Sequence, residues 1–397
     1  PSRAGERRGA ASRGPRLFDA SPEDCPGPGG ASGPRRWMIE QAGLRWTAVE
    51  SVPVHEDIKT GRGDLSTWFS HYCTTLVNLA SEGIRTVIYN FMPVLAWNRT
   101  GVRHTLADGT QCLLYDPAKF SAFEIHALQR QAAHADYTPD QIHRGTTWWN
   151  ALNDSARHDF VQSIIDVFPG VKLGLGLDDI RAMLSKYDHL KPGDLENNLA
   201  RFHEAVIPTA ERAGMKLAIP PDDPPFPVLG LPRIVSTAAQ VRAMLARVPS
   251  RANGLCFCTG SFSAREDNDL IAMVREFAPS IHATHLRSTQ RLADGSFFEA
   301  EHLAGSVPMP AIVAELLAEQ DRRRAQGLDD WRLAFRPDHG HTMLDDLEKV
   351  SPTDPSRTPV SFNPGYTCIG RMKGLAELRG LMLGIRFAQR SSERRSH

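Results

Sequence analysis

The hexapeptide Arg336-Pro337-Asp338-His339-Gly340-His341 places a carboxylate and an imidazole side by side, immediately after the apolar run Trp331-Arg332-Leu333-Ala334-Phe335. Asp338 offers oxygen ligands to a divalent metal, and His339 can move a proton near neutral pH. Taken alone, such a pair is better explained as a polar turn capping the next helix. Two other apolar runs stop in the same fashion. Gly254-Leu255-Cys256-Phe257-Cys258 ends in Thr259-Gly260-Ser261, and Ser280-Ile281-His282-Ala283-Thr284 ends in His285-Leu286-Arg287. Cys258, His285 and Asp338 thus put one sulfur, one nitrogen and one oxygen donor at later strand ends. Mixed donors suit Mn2+, Fe2+ or Zn2+ better than Mg2+ or Ca2+. Individually, a cysteine here reads as a small buried hydrophobe and a histidine as a satisfied core residue; only their shared position at successive strand ends makes joint ligation plausible. Cys256 and Cys258 fall on one face of their strand, but a lone C-x-C is a weak zinc signal.

The elements that would position these residues follow a β-α rhythm. Strands are expected at 47–54, 86–91, 215–219, 254–258, 280–287 and 331–335. Helices are expected at about 65–80, 238–247, 268–277 and 369–387, the last strongly apolar. Near-continuous apolar strands separated by helices imply parallel pairing with both faces buried. This predicts an α/β fold, a TIM (β/α)8-type barrel, although six strands are recognisable where a closed barrel has eight. Residues 97–213 break the rhythm and read as an inserted helical region. Gly174-Leu175-Gly176 lacks the third glycine and the βαβ context of a dinucleotide loop. Residues 1–36 hold 13 Gly or Pro and seven Arg, a composition that cannot bury enough apolar surface to order itself. Order is expected from about Arg36, with residues 37–397 forming the barrel domain.

The totals limit the function classes. The chain has 397 residues, 41% of them hydrophobic, and its 46 Lys+Arg balance 46 Asp+Glu. No net field favours nucleic acid or an anionic membrane, and no apolar run reaches the roughly 20 residues of a membrane span. No secretory signal is visible, and six scattered cysteines fit a reducing, cytoplasmic setting. A homo-oligomer is compatible with all of this.

The motifs resemble those of the mannonate dehydratases of the UxuA type. The resemblance runs from about residue 37 to 390. It rests on Val52-Pro53-Val54-His55-Glu56-Asp57-Ile58-Lys59-Thr60, Tyr89-Asn90-Phe91-Met92-Pro93-Val94, Asp222-Asp223-Pro224-Pro225 and the stretch from Leu229 to Thr237. Cys258-Thr259-Gly260-Ser261, His285-Leu286-Arg287-Ser288, the Arg336–His341 hexapeptide, Pro364-Gly365-Tyr366 and the stretch from Gly370 to Glu377 complete it. What the resemblance implies is a TIM-barrel lyase that uses Mn2+ or Fe2+ to remove water from D-mannonate, giving 2-keto-3-deoxy-D-gluconate in glucuronate catabolism. It puts the metal ligands at Cys258, His285 and Asp338 and the proton-transfer pair at His339 and Tyr366. Arg287 and Arg336 are candidates for gripping the substrate carboxylate, or equally for structural ion pairs.

Three departures accompany the resemblance. Family members carry a histidine, a fourth metal ligand, where this chain has Pro220. The family's opening strand and helix have no counterpart, since the Gly/Pro/Arg-rich segment stands there. About a dozen extra residues, around 351–361, precede Pro364. A non-catalytic member that retains sugar-acid binding is therefore the alternative reading. A sugar isomerase on the same barrel would lack the Arg-Pro-Asp-His and Pro-Gly-Tyr motifs.

Overall fold

The computed structural model describes residues 32–166, 174–353, 356–359 and 363–393. Ten strands are present among them: β1 (Ala48–Val52), β2 (Thr86–Tyr89), β3 (Gly101–Thr105), β4 (Gln111–Tyr115), β5 (Lys216–Ile219), β6 (Asn253–Cys258), β7 (Ile281–His285), β8 (Ser288–Arg291), β9 (Phe297–Ala300) and β10 (Ala334–Arg336). Six form a sheet in the order β1-β2-β5-β6-β7-β10, and every neighbouring pair is parallel. These are the six strands expected from the sequence. All of β6 and β7 is buried, which is why they read as unbroken apolar runs.

The sheet is curled into part of a barrel. Laid flat, six strands would separate β1 from β10 by about 24 Å. Instead Glu50 of β1 meets Arg336 of β10 with Oε2 and Nη1 2.6 Å apart. Inside the curl sits a small layer made of Ile88, Ala218, Cys256 and Ala283. Outside it, the helices Leu65–Ser81, Asp194–Arg212, Ala238–Arg247, Leu270–Phe277 and Met309–Ala325 pack on the strands through one continuous core. The pattern Leu195, Leu199, Phe202, Val206 shows how one helix does so, with buried residues recurring every three or four positions. Three of these helices are started by side chains that take up free amides: Asp64 from Thr67, Thr237 from Gln240 and Asp269 from Ala272. No described helix is long and apolar enough to cross a membrane.

Residues 97–213 are less helical than the sequence reading of few strands implies. Residues 97–213 do contain helices, but they also supply the hairpin β3–β4, which joins a second hairpin in an antiparallel sheet ordered β3-β4-β9-β8. The exposed, mixed face of β3 hides it from a periodicity search. Each hairpin turns at an Asp-Gly pair, Asp108-Gly109 and Asp294-Gly295, whose glycines take φ of +82° and +85°. The insertion builds a second apolar core around Tyr115, Phe120, Phe123, Phe160 and Phe297. The segment read as unable to order, 1–36, lies outside the described residues as far as 31. The chain is helical from Ser32 to Gln41 and closes at Gly43, φ +71°. Among the described residues, β1 pairs only with β2, so the sheet is open between β1 and β10.

Candidate metal centre

Strand register brings the donors together. Cys258 ends β6 directly opposite His285, which ends β7, and His285 in turn lies opposite Arg336 of β10. Two residues beyond Arg336 the chain turns at Asp338, whose φ of +62° is one that Asp tolerates better than most residues. The three donor atoms lie within 4.8 Å of one another. Cys258, His285 and Asp338 are 2%, 3% and 1% exposed. Two ligands on opposite sides of one ion, each 2.1–2.3 Å from it, are about 4.4 Å apart. The observed spread is therefore within a fraction of an ångström of a single coordination shell. The Cys258 sulfur also caps the short helix Thr259–Ser263, accepting from the Ser261 amide at 3.5 Å and its hydroxyl at 3.2 Å. Sulfur, nitrogen and oxygen donors in one buried cluster suit a divalent metal ion.

His339 and Tyr366 stand beside this cluster. Gly340 donates its amide to the Gly365 carbonyl at 2.8 Å, tying the Asp338 turn to the Pro364-Gly365-Tyr366 turn. A Cβ on Gly340 would come within 2.5 Å of the Gly370 backbone, so only glycine allows that approach. The imidazole and phenol rings then meet edge to face, centroids 5.2 Å apart. The Tyr366 hydroxyl donates to Asp338 Oδ1 at 3.3 Å. Burial, reinforced by the Asp338 charge, holds the phenol proton more tightly than usual. Burial alone would raise Asp338, but Arg336, His339, His285 and Arg287 outweigh it and hold the carboxyl well below its ordinary range. His339 Nδ1 faces Arg287 Nη1 at 3.0 Å and Glu299 Oε1 at 3.1 Å. A bare Nδ1 accepts from the arginine, and a protonated one donates to the glutamate. In both cases Nε2 is the nitrogen left for chemistry.

Under this site lies a fully buried network of charges. Arg99 grips Asp223 with both terminal nitrogens, at 2.7 and 3.0 Å, and reaches Glu299 at 3.0 Å. Arg287 contacts the same two carboxylates at 2.6 and 3.3 Å. Two cations thus balance two anions, each residue 2% exposed or less. Despite burial, the two arginines and His339 hold the Glu299 carboxyl down to about 2. Arg336 is equally occupied. It binds Glu50 through both terminal nitrogens, at 2.6 and 2.9 Å, and Asp338 at 2.6 Å. The terminal nitrogens of Arg287 and Arg336 are engaged in ion pairs, while the Nε of each is buried without a hydrogen-bond partner among the described residues. Pro220 follows β5 directly and is buried, with no side-chain donor to offer.

Several of these residues went unread in the sequence. Glu50 had a visible sign, a lone carboxylate inside a Val-rich strand. Asp223 stood within a recognised motif without a role. Arg99 and Glu299 carried no local signal.

A buried cysteine, histidine and aspartate at the strand ends of a curled parallel sheet, with a histidine and a tyrosine alongside, define a metal-dependent enzyme on a TIM-type barrel. Within that class the chain belongs to the D-mannonate dehydratase (UxuA) family, whose model matches residues 33–392. It is 45% identical over 360 residues to the mannonate dehydratase of Chromohalobacter salexigens, covering 90% of this chain and 89% of the relative. It is 44% identical to the Marinomonas sp. enzyme of the same name, covering 89% and 87%. The crystal structure of mannonate dehydratase from Streptococcus suis serotype 2 superposes with a TM-score of 0.66 at 29% identity, over 94% of this chain and 84% of that one.

Proposed function

We infer that this chain is a hydro-lyase that removes water from D-mannonate to give 2-keto-3-deoxy-D-gluconate. The observation carrying this reading is the convergence of Cys258, His285 and Asp338 beside His339 and Tyr366, in a chain that matches the family from residue 33 to 392. A divalent ion held by those three donors, Mn2+ or Fe2+, would supply Lewis acidity to the substrate carboxylate and the adjacent hydroxyl. The protein's own groups do the proton work. His339 Nε2 takes the C2 proton, in the tautomer whose Nδ1–H donates to Glu299. Tyr366, which keeps its proton and already donates it to Asp338, hands it to the departing C3 hydroxyl. The C2–H and C3–O bonds break, a C2=C3 bond forms, water leaves, and the resulting enol tautomerises to the 2-keto acid. We place the reaction in hexuronate catabolism in the cytoplasm, in keeping with the free thiols at Cys73, Cys112, Cys256, Cys258 and Cys368.

A second reading, a sugar-acid binder without turnover, is motivated by Pro220. One experiment addresses both. Purified protein is stripped with chelator, reloaded with Mn2+ or Fe2+ and assayed for keto acid from D-mannonate, next to a Pro220→His variant. Metal-dependent product is the expected result, with Pro220→His binding metal about 10–100-fold more tightly, the range in which single supporting ligands act. Absence of product at saturating metal from both proteins would leave only the binding reading. Equal metal affinities would mean that position 220 does not face the ion.

A further inference from the structure

All three donors come from one side of the curl, from the ends of β6 and β7 and the turn after β10. The opposite side, β1, β2 and β5, contributes none, and the residue that follows β5 is Pro220, which has no donor side chain. What that side does send inward is Glu50. Its carboxylate lies between the supports of two donors. Oε1 is 3.4 Å from His285 Nε2, and both oxygens hold Arg336, at 2.9 and 2.6 Å. Arg336 in turn donates to Asp338 Oδ1 at 2.6 Å. The other nitrogen of His285, Nδ1, is turned towards Asp338, 3.8 Å from Oδ2. His285 Nε2 is buried and makes no hydrogen bond among the described residues; beside the ring are the Glu50 carboxylate, at 3.4 Å, and the Cys256 thiol.

A neutral imidazole carries one N–H, and the acceptor beside one nitrogen decides which nitrogen keeps its lone pair for a metal. We propose that Glu50 is a positioning residue of the metal centre, fixing the His285 proton on Nε2 so that Nδ1 is offered to the ion, and steadying Asp338 through Arg336. The proposal rests on the reading of Cys258, His285 and Asp338 as the metal's ligands. The arrangement is selective in its charges. Arg336 neutralises Glu50, so the carboxylate orients the imidazole without adding a competing anionic ligand. It also explains why a strand remote in sequence, with no donor of its own, carries a carboxylate into an otherwise apolar run.

The test is a titration of Co2+ into chelator-stripped wild type, Glu50→Gln and Glu50→Asp. Affinity is read by calorimetry and the site by visible absorption, with near-UV circular dichroism reporting the fold. Glutamine is nearly isosteric but uncharged; aspartate keeps the charge and withdraws it by one methylene. Both variants are expected to bind Co2+ about 10–100-fold more weakly. Their cobalt d–d bands should shift while the sulfur-to-cobalt band from Cys258 persists. A tie that merely pins β1 to β10 would lower thermal stability and leave affinity and spectrum of the folded protein alone, and that result overturns the proposal. Wild type that binds no Co2+ or Mn2+ overturns the ligand assignment itself, and the role of Glu50 with it.

Discussion

His339→Asn and Tyr366→Phe should each cut turnover of D-mannonate by about 10²–10⁴-fold, the range for loss of a positioned acid or base, and leave metal affinity nearly unchanged. Neither residue belongs to the donor set. Phenylalanine keeps the ring that packs against His339 and loses only the hydroxyl, and Asp338 Oδ1 retains Arg336 at 2.6 Å when that hydroxyl goes. Asparagine keeps a polar group near Glu299 but has nothing to place where Nε2 was. The loss should therefore appear in kcat with little change in KM, since these groups act on the reacting atoms more than on the bound ground state. Full turnover by either variant in a steady-state assay would remove that residue from the proton-transfer pair.

Asp223→Asn should destabilise the fold by about 3–5 kcal/mol, the usual result of breaking a buried ion pair from one side. Arg99 would then keep only Glu299, which it shares with Arg287. Urea unfolding followed by circular dichroism reads this directly; a loss below about 1 kcal/mol, the scale of an exposed pair, would mean that water enters the network. Acid should erode stability in two windows. His203 and His282 are pushed by burial from the ordinary 6.5 to about 3. The unfolded chain therefore takes up protons there first, and the stability tied to their neutral forms is full above pH 6.5 and is lost as pH falls towards 3, by about 1.4 kcal/mol per pH unit for each ring. Glu299 acts lower: held at about 2 against an ordinary 4.5, it contributes fully above pH 4.5 and loses that contribution as pH falls to 2. The urea midpoint should start to drop below pH 6.5, before carboxylates titrate, and a flat profile from pH 7 to 5 would contradict the neutral burial of the two histidines.

The barrel strands were legible because burial on both faces leaves an unbroken apolar run, as in β6. The donors were legible because each stands where such a run stops. The hairpins β3–β4 and β8–β9 were not, since a strand with one wet, mixed face has no period to detect; their Asp-Gly turns were the readable trace. Glu50, Arg99, Asp223 and Glu299 belong to a different category. Buried and exposed carboxylates look identical in a sequence, and what distinguishes these is a partner up to 286 residues away, as for Arg336 and Glu50. The same blindness hid the ion-pair partners of Arg287 and Arg336.

An insertion in a barrel is ordinarily the part that evolution can trade most freely, because it meets the rest of the chain at its surface. Arg99 lies inside the inserted stretch, while the carboxylates it holds, Asp223 and Glu299, lie 124 and 200 residues further along. A forked guanidinium tolerates neither a lysine nor a displaced acid without leaving a charge stranded away from water. Exchange of residues 97–213 for a relative's would therefore have to keep a guanidinium where Arg99 meets these two acids.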